Sequence, residues 1–451
     1  MPAASAEQPS YWRGPGSKGG EMTSKRIWRL TGWVLAPLLV AGAVTAQAGA
    51  ASAVTTGNGG HNKTLYVSPH AWPWGADRSC RSARFRTIQS AVNAARPGST
   101  VVVCQGTYHE QVVITKPLSL QGQRATIDEA GVTPGLQLTL PGLGKQTIFA
   151  AVVLFSSNVD FSGFKVTHAQ GEGILAAGLG GEISDISISH SAIVYNDLGF
   201  GVPTPKSSYF ECAAAGQIPG DCGEGIHFTG VAFSTIKDNF IAFNSGGMLL
   251  SDETGPTHDN LVAGNVVTGN STDCGITMPG HNSNALSSTG QRQPSVAGVY
   301  DNVIRGNVVT NNGNKGEGAG VLFANAGPGT AVYDNLVQGN YIAGNELSGV
   351  TFHAHTIPPG KFEDLSGQRV IGNAIGTNNL GGDPLDFPAS PKDLVTTGIL
   401  VFSGGTPVTV KIAFNHIFNN AIGIWLSKAV TASGLGTNTF SNVTTPISAG
   451  H

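Results

Sequence analysis

The sequence predicts an all-β protein, a parallel β-helix with three short strands per coil. Two patterns predict this fold. Pairs of asparagines five residues apart recur, as in Asn260–Asn265, Asn302–Asn307 and Asn335–Asn340. A glycine followed by alternating apolar residues comes after most of these pairs, mostly about two dozen residues from the last one, and units this short must stack and share one core. The glycines in this register are Gly173, Gly201, Gly225, Gly247, Gly275, Gly320, Gly349, Gly398 and Gly423.

The segments inside each unit have the pattern of strands. Val262, Val267 and Ile276 are apolar positions in short segments bounded by Asn or Gly. A period of two over so few residues indicates strands and not helices. Asn and Gly tolerate the left-handed backbone that sharp turns require, and coils stacked in this way lie roughly 4.8 Å apart. A β-propeller and a β-sandwich are the alternatives, but propeller repeats are longer, and a sandwich has no fixed Asn-Gly register.

The N-terminal part predicts a short capping helix. Ile88, Ala91, Val92 and Ala95 fall on one helical face, which ends before Pro97. This opening resembles that of pectin methylesterases and many secreted β-helix proteins, in which a short helix plugs the open end of the coil. With its repeats, the chain resembles the right-handed parallel β-helix proteins of the pectin-lyase-like superfamily over nearly all of its mature length. A plug is also expected because an uncapped stack exposes apolar core and strand edges.

Residues 1–53 are predicted to be a signal peptide. Lys25 precedes an apolar run from Val34 to Val44, and the small residues Ala51–Ala53 fit a signal-peptidase site. Met22 is an alternative start. The run is too short to predict a membrane span, so none is expected after signal removal. The mature protein is therefore expected to be secreted or in the cell envelope.

The rest of the chain is predicted to be one domain. Residues 54–62 are a short linker, residues 63–130 are the N-terminal cap and first coils, and residues 131–451 are the β-helix with loop excursions and a C-terminal tail. With 12% charged residues and a formal net charge of −3, the chain lacks the basic surplus that would hold nucleic acid or a strongly anionic membrane.

The five cysteines predict two disulfides in an oxidising compartment. Cys80 and Cys104 flank the plug helix, and Cys212 and Cys222 close a small loop. Cys274 is then unpaired, and we expect it to be buried and inert.

Long loops leave successive coils directly after the Gly-apolar strand and form a wall beside a strip of sheet. The resulting groove suits an extended polysaccharide. Asp252 and His281 lie at the mouths of two neighbouring loops, and Asp273 lies just before Gly275. Because a carboxylate with an imidazole, or two carboxylates, can do general acid/base work, Asp252, Asp273 and His281 are predicted as the catalytic set.

Substrate-binding roles are predicted for His353, His355, Asn325, His227 and Trp425. Trp425 is expected either to stack on a sugar or to contact the C-terminal tail. Structural roles are the alternative for all the polar residues among them, because Asp, Asn and His are ordinary turn residues. His353 and His355 share a strand face, but two histidines without a third ligand do not predict a metal site.

Calcium is the one cofactor left open, and no other is expected. Aspartates that precede asparagines suggest it, but they repeat in every coil, which favours a turn role. These residues are Asp238, Asp259, Asp301 and Asp334.

The resemblance excludes some of the reactions known in this superfamily, but it does not identify the reaction of this chain. The chain lacks the arginine-rich signature of common pectate lyases and the Asp-Pro-His-Glu motif of mannuronan epimerases, and Pro279–Asn282 only partly matches the Gly-His-Gly motif of polygalacturonase-like hydrolases. The first hypothesis is a secreted carbohydrate-active enzyme, a hydrolase or lyase acting on a polysaccharide or cell-surface glycan. The second is a non-catalytic envelope or surface β-helix that binds glycan or protein, or acts as a scaffold, like the proteins that resemble the copper-site assembly helper. The oligomeric state stays open.

Overall fold

A computed structural model describes residues 63–72, 74–140, 144–197, 224–314, 318–355, 357–380 and 395–450. These residues form parallel strands stacked coil upon coil, which confirms the predicted all-β parallel β-helix. The predicted signal peptide and linker, and the predicted pair Cys212 and Cys222, lie outside the described residues.

In one turn of the coil the chain passes through four sheets, which we name sheets 1 to 4 in that order. Sheet 1 contains Val112–Ile114, Ala150–Leu154, Glu172–Ala177, Glu224–Thr229, Gly246–Ser251, Ile276–Gly280, Val321–Asn325, Val350–Ala354 and Thr397–Ser403. Sheet 2 contains Ile183–Ser184, Val231–Ala232, Thr257–His258, Val299–Tyr300 and Val332–Tyr333.

Sheets 3 and 4 complete each coil. Sheet 3 contains Thr64–Val67, Ser99–Val103, Ile186–Ser189, Thr235–Lys237, Leu261–Ala263, Val303–Arg305, Leu336–Gln338, Gln368–Ile371, Val408–Ala413 and Val430–Ser433. Sheet 4 contains Gly106–Tyr108, Ala192–Val194, Phe240–Ala242, Val266–Thr268, Val308–Thr310, Tyr341–Ala343 and Ala374–Ile375.

Some strands lie outside this simple pattern. Four long strands turn a corner and serve two sheets each: Leu118–Asp128, Val159–Thr167, His416–Leu426 and Thr439–Ala449. Gln137–Leu140 and Gly144–Thr147 form an antiparallel hairpin.

Sheet 2 adds a fourth short strand to several coils, for which the sequence predicted three. Its strands are two residues long, as in Thr257–His258, which is too short to produce an alternating pattern. The residue that follows, Asp259, has a φ of 52°, and its equivalents Asp301 and Asp334 have φ values of 53° and 58°. These aspartates therefore make the left-handed corner between sheets 2 and 3, which is the predicted turn role.

The glycine register has a steric cause. A Cβ atom on Gly247 would lie 2.1 Å from the carbonyl oxygen of Gly275 in the next coil and 2.6 Å from Val267 Cγ1. No real Cβ contact with backbone is that short, so only glycine allows successive coils to stack at this corner. The residue after each such glycine points into the core, where Met248 and Ile276 are fully buried.

Three ladders of buried asparagines run along the stack. In nearly every rung, the side-chain oxygen of one residue accepts from the backbone N–H and side-chain N–H of the equivalent asparagine one coil before. Asn265 donates to Asn307 at 2.9 and 3.0 Å, and Asn307 donates to Asn340 at 2.8 and 3.0 Å. Asn307 Nδ2 also donates to the Val262 carbonyl at 2.9 Å. Each rung thereby satisfies backbone groups that the turn leaves unpaired.

The ladders lie at the three corners that flank sheets 3 and 4. One contains Asn260, Asn302, Asn335 and Gln368; the second contains Asn239, Asn265, Asn307, Asn340, Asn373, Asn415 and Asn438; the third contains Asn196, Asn244, Asn270, Asn312, Asn345, Asn378 and Asn420.

The N-terminal end of the stack is closed as predicted. The helix Ile88–Ala94 packs Ile88, Ala91 and Val92 onto the core, and Thr87 caps it by accepting from Ser90 N–H. Two short 3-10 helices, Cys80–Ser82 and Leu435–Thr437, are also present. No helix in the described part of the chain is long and apolar enough to cross a membrane.

The disulfide between Cys80 and Cys104 is formed, as predicted. Cys274 is free and buried, also as expected.

We predict that Asn307→Ala destabilises the protein by about 3 kcal/mol or more, because Asn265 and Val262 then lose their partners in a buried corner. Thermal and urea unfolding monitored by circular dichroism would measure the loss. The exposed Asn284→Ala is the matched control and should change stability by less than about 0.5 kcal/mol. Equal effects of the two variants would contradict the structural role of the ladder.

Candidate functional site

The candidate site lies on the outward face of sheet 1, where the loops after its strands begin. His227 and Leu249 occupy equivalent outward positions of neighbouring strands. Ser251 ends the strand Gly246–Ser251 and begins the loop that carries Glu253. The next strand, Ile276–Gly280, ends directly before His281. Parallel pairing thus brings residues that are far apart in sequence to one edge of the sheet.

Five polar side chains form a continuous row of contacts, which we name the relay: Glu172, His227, Ser251, Glu253 and His281. Glu172 Oε1 lies 3.5 Å from His227 Nδ1, and His227 Nε2 lies 2.8 Å from Ser251 Oγ. Ser251 Oγ hydrogen-bonds Glu253 Oε2, and Glu253 Oε1 hydrogen-bonds His281 Nδ1. The Glu172 and His227 side chains are 2% and 0% exposed, whereas Glu253 and His281 are 16% and 33% exposed. The relay therefore leads from the interior to the surface.

The donors and acceptors that each group can offer set the direction of two of these hydrogen bonds. An ionised Glu253 can only accept, and a serine hydroxyl has one proton. Ser251 therefore donates to Glu253, and His227 Nε2 donates to Ser251. The hydroxyl of Ser251 is thus engaged as a link between two titratable groups, which favours proton transfer over a nucleophilic role.

Asp252 has a different role from the predicted catalytic one. Its side chain is fully buried and accepts from the backbone N–H groups of His281, Asn282 and Gly298 at 2.7, 3.0 and 2.9 Å. Burial, followed by the nearby charge of Glu253, raises the pKa of Asp252 to about 7. Asp252 therefore holds both ends of the loop between the strands Ile276–Gly280 and Val299–Tyr300. It thereby positions His281 through the backbone.

A second buried carboxylate lies behind the relay. Glu129 is 1% exposed, and its Oε2 accepts from Gln170 N–H at 3.2 Å. Burial, opposed by this hydrogen bond and reinforced by the charge of Glu172, raises the pKa of Glu129 to about 7. The inner end of the relay therefore lies beside a carboxyl group whose pKa is raised towards neutral pH.

Asp273 is not brought to this site. It lies before the strand Ile276–Gly280 and His281 lies after it, so the two residues are at opposite ends of that strand. Asp273 Oδ1 instead accepts from Cys274 N–H at 2.6 Å, and burial raises its pKa. The predicted catalytic set of Asp252, Asp273 and His281 is therefore not assembled, and only His281 is presented to solvent with a partner suited to proton transfer.

Several predicted substrate-binding residues are buried. His227 is 0% exposed and acts inside the relay, Asn325 is 2% exposed, and Trp425 is 8% exposed. Trp425 therefore offers no open ring face to a sugar. His353 and His355 are partly exposed, and their ring centroids lie 4.8 Å apart. Of the predicted binding residues, these two remain at the surface.

Arg292, in the loop that follows the strand Ile276–Gly280, is already paired with two carboxylates. Its guanidinium donates to Asp334 at 2.6 Å and to Asp364 at 2.7 Å, and lies 3.9 Å from the centre of the Tyr333 ring. These contacts are on the sheet 2 side of the loop. Arg292 therefore pins the loop and does not face the relay.

No group of three or more His, Cys, Asp or Glu residues is arranged to hold a metal ion in the part of the chain that the structure describes.

A family model described as periplasmic copper-binding protein (NosD) matches residues 204–356. The stacked parallel coils show that the chain is a right-handed parallel β-helix protein. The family model matches only about a third of the chain. A comparison with curated proteins gave no match.

This β-helix is similar to several solved structures. The A-module of a mannuronan C-5 epimerase from Azotobacter vinelandii is 15% identical, with a TM-score of 0.46, and the match covers 80% of this chain and 92% of that one. A pectate lyase is 15% identical, with a TM-score of 0.48 and coverage of 84% and 78%. A lacto-N-biosidase from Eubacterium ramulus is 12% identical, with a TM-score of 0.48 and coverage of 86% and 68%. At these identities the likeness concerns the fold alone.

Glu172, Ser251 and Glu253 are the members of the relay that sequence reasoning missed. Glu253 directly follows Asp252, which was taken as the functional residue of the loop. Glu172 precedes Gly173 in the same way that Glu224 precedes Gly225. This repeated Glu-Gly pair is the signal that could have found it.

We predict that Glu129→Gln removes a pH dependence of stability. The raised pKa means that the folded protein binds this proton more tightly than the unfolded chain, so stability is full below about pH 4.5 and falls as pH rises through about 7. The variant should therefore match wild type near pH 4.5 and exceed it at pH 8 by up to about 3 kcal/mol. Urea unfolding across this pH range is the measurement, and a constant difference at all pH values would contradict the raised pKa.

Proposed function

We propose that this chain is a secreted or envelope carbohydrate-active enzyme that cleaves or rearranges a polysaccharide by acid/base chemistry at His281 and Glu253. The observation that carries the proposal is the contact of Glu253 Oε1 with His281 Nδ1 at the exposed end of the relay. A carboxylate that accepts from one imidazole nitrogen leaves the other nitrogen to exchange a proton with a substrate.

The rest of the relay supports proton transfer over simple binding. A general base must pass on the proton that it takes before the next turnover, and a general acid must regain the proton that it gives. Ser251 is hydrogen-bonded to both Glu253 and His227, and the buried Glu172 lies 3.5 Å from His227, so that a small approach of these two side chains completes such a route. A site that only bound a glycan would need hydrogen-bond donors and acceptors at the surface, but no buried chain of titratable groups behind them.

Two reaction classes fit a histidine of this kind. In elimination or epimerisation, His281 would take the proton beside a uronate carboxylate, a step that needs a nearby cation to stabilise the charge. In hydrolysis, it would give a proton to the leaving oxygen, and a second carboxylate would act from the other side of the sugar. Because Arg292 is already paired with Asp334 and Asp364, it does not supply that cation, which weighs against elimination or epimerisation.

A copper-binding, non-catalytic role is the second candidate. The match to the periplasmic copper-binding family model over residues 204–356 favours it, and so does the close pairing of the His353 and His355 rings. Calorimetric titration of the mature protein with Cu²⁺, with His353→Ala as control, separates the candidates. Tight binding that the variant abolishes would support this role over the enzymatic one.

The proposal is tested by incubating the mature protein with a panel of neutral and acidic polysaccharides. New reducing ends without ultraviolet absorbance would indicate hydrolysis, and absorbance from unsaturated products would indicate elimination. Absence of any product across the panel, with and without calcium, would overturn the enzymatic proposal.

We predict that Glu253→Gln and His281→Gln each lower the turnover rate at least about 100-fold, the usual contribution of a general acid or base. Thermal unfolding should show that both variants remain folded, because the loop is held by Asp252 and not by these side chains. Gln291→Ala, an exposed change in the same loop, is the matched control and should keep wild-type activity. Full activity of Glu253→Gln or of His281→Gln would show that the substituted residue is not part of the mechanism.

A further inference from the structure

A second carboxylate and histidine lie on the same edge of sheet 1 as the relay. The strand Val350–Ala354 is two steps along the stack from Ile276–Gly280, through Val321–Asn325. Adjacent coils are roughly 4.8 Å apart, so residues after this strand lie roughly 10 Å along the stack from His281. His355 directly follows the strand.

Glu363 contacts both the backbone and the ring of His355. The Glu363 side chain is 0% exposed, and its Oε1 accepts from the backbone N–H of His355 at 2.6 Å. Its Oε2 lies 3.5 Å from His355 Nδ1. Both of these facing atoms are buried, and neither has a hydrogen-bond partner in the described part of the chain. They are therefore suited to bond each other as soon as the gap closes, as catalytic and binding hydrogen bonds often do when ligand arrives.

The geometry points to one tautomer of His355. An ionised Glu363 Oε2 can only accept, so a hydrogen bond between the two groups requires the proton on Nδ1 and leaves Nε2 of the neutral ring as an acceptor. The His355 side chain is 26% exposed, and the centre of its ring lies 4.8 Å from that of His353. Such an acceptor suits a sugar hydroxyl.

Asn325 lies between the two histidine sites. It pairs with Gly280 in the strand register, one coil from His281. Both of its side-chain amide atoms are buried without a hydrogen-bond partner among the described residues. In the described coils, the buried polar atoms without partners on this edge thus belong to Asn325 and His355, which lie in consecutive coils after that of His281.

We propose that His355 is a second substrate-binding histidine on this edge of sheet 1, with Glu363 as its positioning residue, and that it binds a hydroxyl of a polysaccharide unit beyond the one at His281. This inference rests on the proposed function. It predicts that long oligosaccharides gain affinity from His355, whereas short ones that occupy only the His281 end do not.

The first test is of the Glu363 contact and needs no substrate. In Glu363→Gln, the backbone N–H of His355 still requires the side-chain oxygen, so the amide NH₂ must face Nδ1. Nδ1 must then accept, and the proton moves to Nε2. Nitrogen-15 spectra of the histidine rings at pH 8 should show protonated Nδ1 in the wild type and protonated Nε2 in the variant. An unchanged spectrum would overturn the positioning role.

The second test measures binding in a background that should not turn over. Oligosaccharides of increasing length are titrated calorimetrically into Glu253→Gln and into the double variant with His355→Ala, both with EDTA present. We expect the double variant to bind long oligosaccharides about tenfold more weakly, the effect of losing one hydrogen bond, and short ones equally well. The exposed His70→Ala is the matched control.

The outcomes separate this inference from the proposed function. Equal affinity of both variants at every length would overturn the role of His355 while leaving the His281 chemistry standing. Turnover by Glu253→Gln would refute the proposed mechanism, and the ring spectra would still decide the contact with Glu363. If no oligosaccharide binds either variant, the inference fails with the function on which it rests.

Discussion

The structure depends on the asparagine ladders at the corners of the coil. Each rung bonds backbone groups of two coils at once, as Asn307 does between Asn265 and Asn340. Because these amides are buried, a slip of one residue would leave several polar groups unpaired, at about 1–3 kcal/mol each. The ladders therefore fix the register of every coil. That register is what brings residues distant in sequence to the same edge of sheet 1.

Because the register is fixed, the residue type at each position of sheet 1 decides which groups come together on its outward face. Inward positions hold the apolar core, with Phe228 and Met278 fully buried. Outward positions are free to carry His227 and the hydroxyl of Ser251 in adjacent coils. The result is a buried row of titratable groups behind an exposed histidine. Asp252 then uses its three backbone hydrogen bonds to place that histidine, so frame and site are joined through a single loop.

Repetition explains how much the sequence could predict. The fold, the helix that places Ile88 on the core and the disulfide of Cys80 with Cys104 follow from patterns that recur or that local propensity dictates. Sheet 2 was missed because a two-residue strand such as Thr257–His258 carries no period. The site was predicted only in part. His281 was found at the mouth of its loop, but whether Asp252 or Glu253 faces solvent depends on how the loop folds back.

The central claim is that Glu172, His227, Ser251, Glu253 and His281 work as one path for protons. A double-mutant cycle on turnover of the polysaccharide, with Ser251→Ala and Glu172→Gln, tests it most directly. Links of one path should be strongly non-additive, so that either change alone costs nearly as much as both together. Effects that simply add on the free-energy scale would contradict the relay, and would leave His281 and Glu253 as an isolated pair.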